Sequence, residues 1–403
     1  MRRAVAVTGI GLVSPHGDNP ETVFDALMVG RSAVSLCDDA DCPLAVVARA
    51  PFDSTRWFSR MQIIGVDRVS QIAVAAADAA RVDSGLDTLN SNSGIYLGTG
   101  MGGAAAIESA FQHHHKSGRI PPLTVPAFMP NAPAAHVAMR LGIHGPVYTY
   151  SVACASSAIA IAEAAKAVAY GDIDCALAGG SEALLVPSVI RAWHALHTLA
   201  SPVTENPASS CRPFSADRSG MVLGEGAAFM VLEPYDSAVA RGARIYARVA
   251  GSGVSCDATH ITKPDVSGQV RALQTALQNS NLSPIDIGYC NAHGTATRAG
   301  DIVECEALGK VWGDALGTLK VSSTKSMHGH LLGAAGALEA FVTVMALYRN
   351  SIPPNMNCDV QDTACGVKLV RETGISNQNF RAAISNSFAF GGTNVVLVFE
   401  RKE

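Results

Sequence analysis

The sequence predicts an α/β protein built from two similar halves, and three observations predict it. Short β-branched runs alternate with alanine-rich helical stretches along all 403 residues. Those runs lack a polar face, as strands do when helices cover a sheet on both sides. Cutting the chain near residue 250 brings similar segments into line: AVTGIGLVSPHGD beside VAGSGVSCDATH, GIYLGTGMGG beside GYCNAHGTAT, and YTYSVACASS beside LKVSSTKSMHGH. Each is a strand running into a turn of small residues, so the expected units are residues 1–250 and 251–403.

In chain order the expected strands are AVAVTG, GIYLGTG, VYTYSV, CALAGG, AAFMVLEP, IYARVAG, IGYCNAHG, LKVSST, AAISNS and NVVLVFE. The opening MRRAVAVTGIGLVSP has the charge and apolar stretch of an export signal. Thr8, Gly9 and Gly11 interrupt it, however, and no small-residue cleavage site precedes Asp18, so it is read as a first strand and turn. No stretch supplies the roughly 18 uninterrupted apolar residues of a membrane span; the strongest candidates carry Glu163 and Lys166, or Glu339, in their middle. With 48% apolar and 16% charged residues, most of the chain belongs in a core. The formal charge of −4 and the lack of any basic run beyond Arg2-Arg3 argue against a nucleic-acid partner, as the lack of a span argues against a membrane. Ten cysteines scattered through apolar segments without CxxC pairs suit buried, reduced thiols, hence a cytoplasmic protein without a disulfide framework or zinc site.

Cys154 follows the strand VYTYSV and precedes SSAIAIAEAAKAVAYG, a buried helix stopped by Gly171. A thiol at a helix N-terminus meets unpaired N–H groups and the positive end of the helix dipole, which lower its pKa and favour a nucleophilic thiolate. Two histidines, His293 in CNAHGTATRAGD and His330 in STKSMHGHLLGAAGALEA, occupy Gly/Ser/Thr-rich turns after strands, where open α/β folds place their sites. Lys325 shares the second turn and would otherwise be a surface residue. His113, His114 and His115 in FQHHHKSG are expected as solvent-facing loop residues. GTGMGG at 98–103 imitates a nucleotide-binding loop, but no acidic residue closes a second strand at the required distance, so close backbone packing is expected there. SNSFAFGGTN at 385–394 forms a glycine turn with two aromatics before the last strand.

Cys154, NAHGT, KSMHGHLLGAAG and NSFAFGGTN, in this order and together with CRPFSADRSGMVLGEGA at 211–227, resemble the elongating β-ketoacyl-acyl carrier protein synthases of the thiolase superfamily from Val5 to Phe399. The resemblance implies a thiolase-like five-layered αβαβα sandwich and a homodimer, or a heterodimer with a related ketosynthase-like subunit. It also implies a decarboxylative Claisen condensation between an acyl-Cys154 thioester and malonyl-acyl carrier protein. No metal or resident cofactor is implied; the phosphopantetheine arm arrives on the carrier protein. Carried over residue by residue, His293 and His330 bind the malonyl thioester carbonyl, and the backbone N–H groups of Cys154 and Phe390 form the oxyanion hole. Lys325 and Glu339 support the histidines, Thr295 and Thr297 meet the phosphopantetheine arm, Phe388 and Phe390 form a gate, and Ile107 lines the acyl pocket.

Three departures bear on the substrate: VACASS where Thr-Ala-Cys is common, Ala389 where the gate has glycine, and Gln62, Ile63, Ile64 and Val203 where basic carrier-docking residues are frequent. They widen the expected role from fatty-acid elongation to a specialised polyketide, polyene or modified-lipid pathway. A non-catalytic chain-length partner would lack the nucleophile, and a thiolase would need a second reactive cysteine that SNSFAFGGTN does not offer. His330 stands against an initiating synthase of the Cys-His-Asn type.

Overall fold

A computed structural model describes residues 2–39, 41–89 and 92–402. All ten expected strands form: β1 (Val5–Val13), β2 (Ser93–Gly98), β3 (Val147–Tyr150), β4 (Cys175–Glu182), β5 (Gly226–Pro234), β6 (Ala247–Cys256), β7 (Ile287–Asn291), β8 (Lys320–Ser322), β9 (Ala382–Phe388) and β10 (Thr393–Glu400). With the two-residue edge strand Lys368–Leu369 they make one hydrogen-bonded order, edge-β8-β7-β9-β10-β6-β1-β5-β4-β2-β3. The order 8-7-9-10-6 repeats 3-2-4-5-1 with every number raised by five. Pairing directions repeat too, with β2 parallel to β3 and β4 as β7 is to β8 and β9. Two equivalent half-sheets therefore meet where Val5–Val7 of β1 pairs antiparallel with Ala247–Val249 of β6. Each sequence echo maps onto its topological counterpart: β1 on β6, β2 on β7, β3 on β8. Because β6 begins at Ala247, the strand belongs wholly to the second half.

The layers follow from which helices are apolar all round. α3 (Ser156–Tyr170) and α7 (Ala335–Arg349) lie against each other between the half-sheets, tied at their starts by the Ala337 N–H donating to Ser157 Oγ at 2.9 Å. The stretches Ala153–Tyr170 and Leu332–Arg349 are long and apolar enough to cross a membrane by length and composition, yet 67% and 89% of them is buried inside the protein. They are the central layer. α1 (Arg68–Asp83) covers one outer face and α5 (Val266–Ser280) with α6 (Arg298–Trp312) the other. Packing of α1 is close: a Cβ on Gly9 or Gly11 would lie 2.2 Å from the Ala80 or Ala76 carbonyl oxygen, so only glycine fits in β1 there.

His113, His114 and His115 lie near the C-terminal end of α2 (Ala104–Ser117), the latter two in its last turn, rather than in a loop. The helix runs on through the polar stretch to Gly118, whose φ of 71° supplies the left-handed stop, and basic side chains there face the negative end of its dipole. The Gly100 and Met101 N–H groups of GTGMGG both donate inward to the Glu182 carboxylate, so the segment is packed backbone, as expected.

Candidate active site

Cys154 sits on a sharp turn between β3 and α3. Ala153 before it has a φ of 51°, and Ser156 holds the turn by accepting from the Val152 N–H at 2.9 Å and donating to the Ala153 carbonyl at 2.6 Å. The corresponding turns of the second half bring up the histidines. His293 follows β7 and His330 follows β8, so the near-symmetry of the halves delivers all three side chains to one cavity. Their ligating atoms lie within 4.8 Å of one another, and the two imidazoles meet edge to face at 5.4 Å.

The expected lowering of the Cys154 pKa is overturned. α3 begins two residues beyond the thiol, and burial pushes the thiol up to about 12, against the smaller opposing pull of Lys325 and of the Phe390 N–H donated to the sulfur. The buried Cys154 is a neutral thiol at rest. Both histidines are also neutral, their pKa values held well below 6.5 by burial first and by the Lys325 charge second.

Their tautomers follow from their neighbours. The Leu332 N–H donates to His330 Nδ1 at 3.3 Å, which leaves the ring proton on Nε2, 3.1 Å from Cys154 Sγ. Lys325 Nζ lies 3.5 Å from His293 Nδ1, so that ring too carries its proton on Nε2. The cavity thus presents two N–H donors beside a thiol. A metal ion would need lone pairs at both Nε2 atoms and protons on both Nδ1 atoms, facing an N–H and an ammonium. The groups beside both Nδ1 atoms are donors, and the three residues do not fit a metal.

Lys325 is not a surface residue. It is 1% exposed and ion-paired with the fully buried Glu339, whose carboxyl burial raises to about 7 while Lys325 pulls it down. Thr295 and Thr297 line the cavity with their hydroxyls 3.0 Å apart, as do Phe388, 6.2 Å from the His293 ring, and Phe390. Ile107 is half-buried on α2 and is not among the residues lining this cavity. Gln62 and Ile64 are exposed. Ala389 lies outside the left-handed region, which Gly391 and Gly392 occupy with φ of 85° and 78°. Alanine is therefore unstrained in this conformation.

Sequence reasoning missed several participants. Glu304 on α6 accepts from the His293 and Gly294 N–H groups, both at 2.8 Å, and from Asn386 at 3.0 Å, fixing the His293 turn. Trp193 on α4 (Pro187–Ala195) faces Phe390 at 5.9 Å across the cavity, and Lys263 stands in its wall. A carboxylate or tryptophan in a helix carries no local mark of such a role. The CRPF segment is structural: Arg218, 1% exposed, reaches Asp301 at 3.3 Å and Asp362 at 2.7 Å and donates to the Thr297 and Arg298 carbonyls, shaping the loop that carries the two threonines.

Residues 2–238 match the beta-ketoacyl synthase N-terminal domain and residues 246–359 the beta-ketoacyl synthase C-terminal domain. The chain belongs to the β-ketoacyl synthase family. It is 39% identical to the 3-oxoacyl-[acyl-carrier-protein] synthase 2 of Vibrio cholerae over 99% of both chains, and 40% identical to nodulation protein E of Rhizobium meliloti over the whole of both. Among solved structures it superposes with a TM-score of 0.92, at 29% identity and full coverage of both chains, on a type II polyketide ketosynthase bound to the hexaketide and in complex with its acyl-carrier protein. The fold is the five-layered thiolase-like sandwich, and the chain is an acyltransferase of the ketosynthase class. Its reaction is the decarboxylative Claisen condensation that yields a 3-oxoacyl thioester, in fatty-acid elongation or a specialised pathway.

Proposed function

We propose that Cys154 carries the growing acyl chain and that His293 and His330 decarboxylate the malonyl extender. The observation that carries this is the pair of Nε2–H donors aimed into one cavity beside the thiol. An acyl group arrives as a thioester on the phosphopantetheine arm of an acyl carrier protein, with Thr295 and Thr297 positioned along the cavity wall to meet the arm. Cys154 Sγ attacks the thioester carbonyl as its proton passes to the departing pantetheine sulfur. The His330 Nε2–H and the Phe390 N–H stabilise negative charge on Cys154 Sγ as it forms. The oxyanion of the tetrahedral intermediate falls to the backbone N–H groups of Cys154 and Phe390. The free carrier then leaves.

Malonyl-carrier follows, with its thioester carbonyl between the two histidine N–H groups. Breaking the bond to the carboxylate releases carbon dioxide and leaves the electron pair as an enolate, whose oxygen those donors stabilise. The enolate carbon attacks the acyl-Cys154 carbonyl and expels the thiolate, giving a 3-oxoacyl carrier extended by two carbons. Neutral rings suit this step because they donate without giving up a proton. Lys325 sets the His293 tautomer, and Glu339 balances its charge. Phe388 and Phe390 gate the cavity.

The chain works as a dimer, with itself or with a related subunit, through β3. Among the described residues this strand ends the sheet with one edge unpaired, and Val147 and Tyr148 on it are exposed, as are Met101, Phe111 and Met139 elsewhere in the same half. Intact-mass measurement after incubation with acyl-carrier tests the nucleophile: one adduct that maps to Cys154 and vanishes in Cys154→Ala is expected. An adduct on any other cysteine would overturn the assignment.

A further inference from the structure

Glu182, the last residue of β4, is fully buried and none of the chemistry above uses it. Four donors converge on its carboxylate. Oε2 accepts from the Gly100 N–H at 2.6 Å and the Gly333 N–H at 2.9 Å, and Oε1 from the Thr99 hydroxyl at 3.1 Å and the Met101 N–H at 3.3 Å. The carboxylate therefore joins the end of β2, in the first half, to the turn just after His330, in the second. The fit is tight: a Cβ on Gly100 would lie 2.6 Å from Oε2, and one on Gly333 2.5 Å from it and 2.2 Å from the Gly100 nitrogen. Two glycine backbones clasp one carboxylate.

What this clasp holds is unusual backbone. Leu332 has a φ of 48°, a left-handed conformation that costs a residue with a Cβ about 1 kcal/mol. The Gly333 N–H, anchored on Glu182, fixes the peptide on the far side of Leu332. The Leu332 N–H on its near side is the group that donates to His330 Nδ1. We propose that Glu182 is a positioning residue for the condensation: by anchoring Gly333 it holds the turn in which the Leu332 N–H keeps His330 in the Nε2–H tautomer. The proposal rests on the reading of His330 as a donor to the malonyl carbonyl.

Release of the turn has opposite consequences for the two half-reactions. Without the Leu332 donor, His330 becomes free to carry its proton on Nδ1, turning a lone pair toward the cavity. That tautomer cannot donate to an enolate; in loading it gives up the Nε2–H that steadied the forming thiolate, but its lone pair takes the Cys154 proton and passes it to the departing pantetheine sulfur, so acyl loading survives while decarboxylation falls. A residue that merely supports the fold would depress both together.

The test uses full-length protein labelled with ¹⁵N-histidine, the His330 signals being assigned by their loss in His330→Ala. Nitrogen shifts report the tautomer, and carbon dioxide release from malonyl-carrier and Cys154 acylation are measured separately. Glu182→Ala is expected to shift His330 toward the Nδ1–H form and lower carbon dioxide release by ~10- to 100-fold, with acylation changed less than about threefold. Glu182→Gln should stay close to the parent, since its carbonyl oxygen still accepts from Gly100 and Gly333 while its amide turns to the Thr99 hydroxyl and gives up only the longest of the four bonds, the 3.3 Å one from the Met101 N–H. Should the alanine variant not fold, Glu182→Asp replaces it, because a carboxylate drawn back by about 1.5 Å can no longer bridge the Gly100 and Gly333 N–H groups that share Oε2. An unchanged tautomer in a folded Ala or Asp variant, or a parallel fall of both rates, overturns the proposal. Carbon dioxide release that survives His330→Ala would instead overturn the donor reading itself, whatever Glu182 does to the tautomer.

Discussion

Adding one methyl group at Gly391 isolates the conformational cost of the turn that carries the Phe390 N–H. Gly391 has a φ of 85°, and an added Cβ would meet no atom within 4 Å. The whole penalty is therefore the backbone term, about 1 kcal/mol for a Cβ in the left-handed region, or roughly a fivefold shift away from the conformation in which Phe390 donates to Cys154 Sγ. Gly392 is the matched control. Its φ is 78°, so the backbone term is similar, but its Cβ would lie 2.9 Å from Asp257 Cβ and 3.2 Å from the Asp257 nitrogen, which donates to the Gly392 carbonyl. Overpacking against that backbone adds another ~1–3 kcal/mol. Acyl loading of Cys154, followed by intact mass under single-turnover conditions, should fall about fivefold in Gly391→Ala and a further ~5- to 150-fold in Gly392→Ala, with native circular dichroism in the first. Parent-like loading in Gly391→Ala, or equal losses in the two variants, would refute the assignment of the oxyanion donor to this turn.

Ala389→Gly should change the range of acyl chains loaded less than about twofold, because Ala389 is unstrained here; a broadened primer profile would mean that the turn visits positive φ at this residue during turnover. Lys325→Met removes one member of a fully buried ion pair and should cost ~3–5 kcal/mol in denaturant unfolding, most of it recovered in Lys325→Met/Glu339→Gln while decarboxylation stays low. Because His293 and His330 protonate only well below 6.5, carbon dioxide release should show no histidine inflection between pH 7 and 6. Their unfolded counterparts take up protons first, so the stability these two rings contribute is full above pH 6.5 and is lost as the pH falls through it. Imidazolium signals from either ring at pH 6 in the folded protein would contradict this.

The strands were legible because two half-sheets covered by helices demand apolar β-branched runs, and the likeness of the two halves was legible in the paired echoes. His293 and His330 stood out because a histidine in a Gly/Ser/Thr turn has no packing reason to be there. What stayed hidden depends on burial and distance across the chain. Lys325 has the look of a surface lysine until Glu339, fourteen positions on, is found beside it at the start of the central helix. The Cys154 thiol was expected to be acidic from its place before a helix, but the helix starts two residues later and burial outweighs the pull of Lys325 and of the Phe390 N–H. Glu182 and Glu304 carry no signal in sequence at all, since what marks them is the set of backbone N–H groups brought to them by other segments.

The most direct test of the division of labour between thiol and histidines is carbon dioxide release from malonyl-carrier by Cys154→Ala, His293→Ala and His330→Ala, measured beside the parent. Enolate stabilisation by two Nε2–H donors does not need the thiol, so the Cys154 variant should still release carbon dioxide while forming no 3-oxoacyl product. Each histidine variant should lose release by about a hundredfold or more. Release that persists in both histidine variants, or that disappears with the thiol alone, would contradict the assignment.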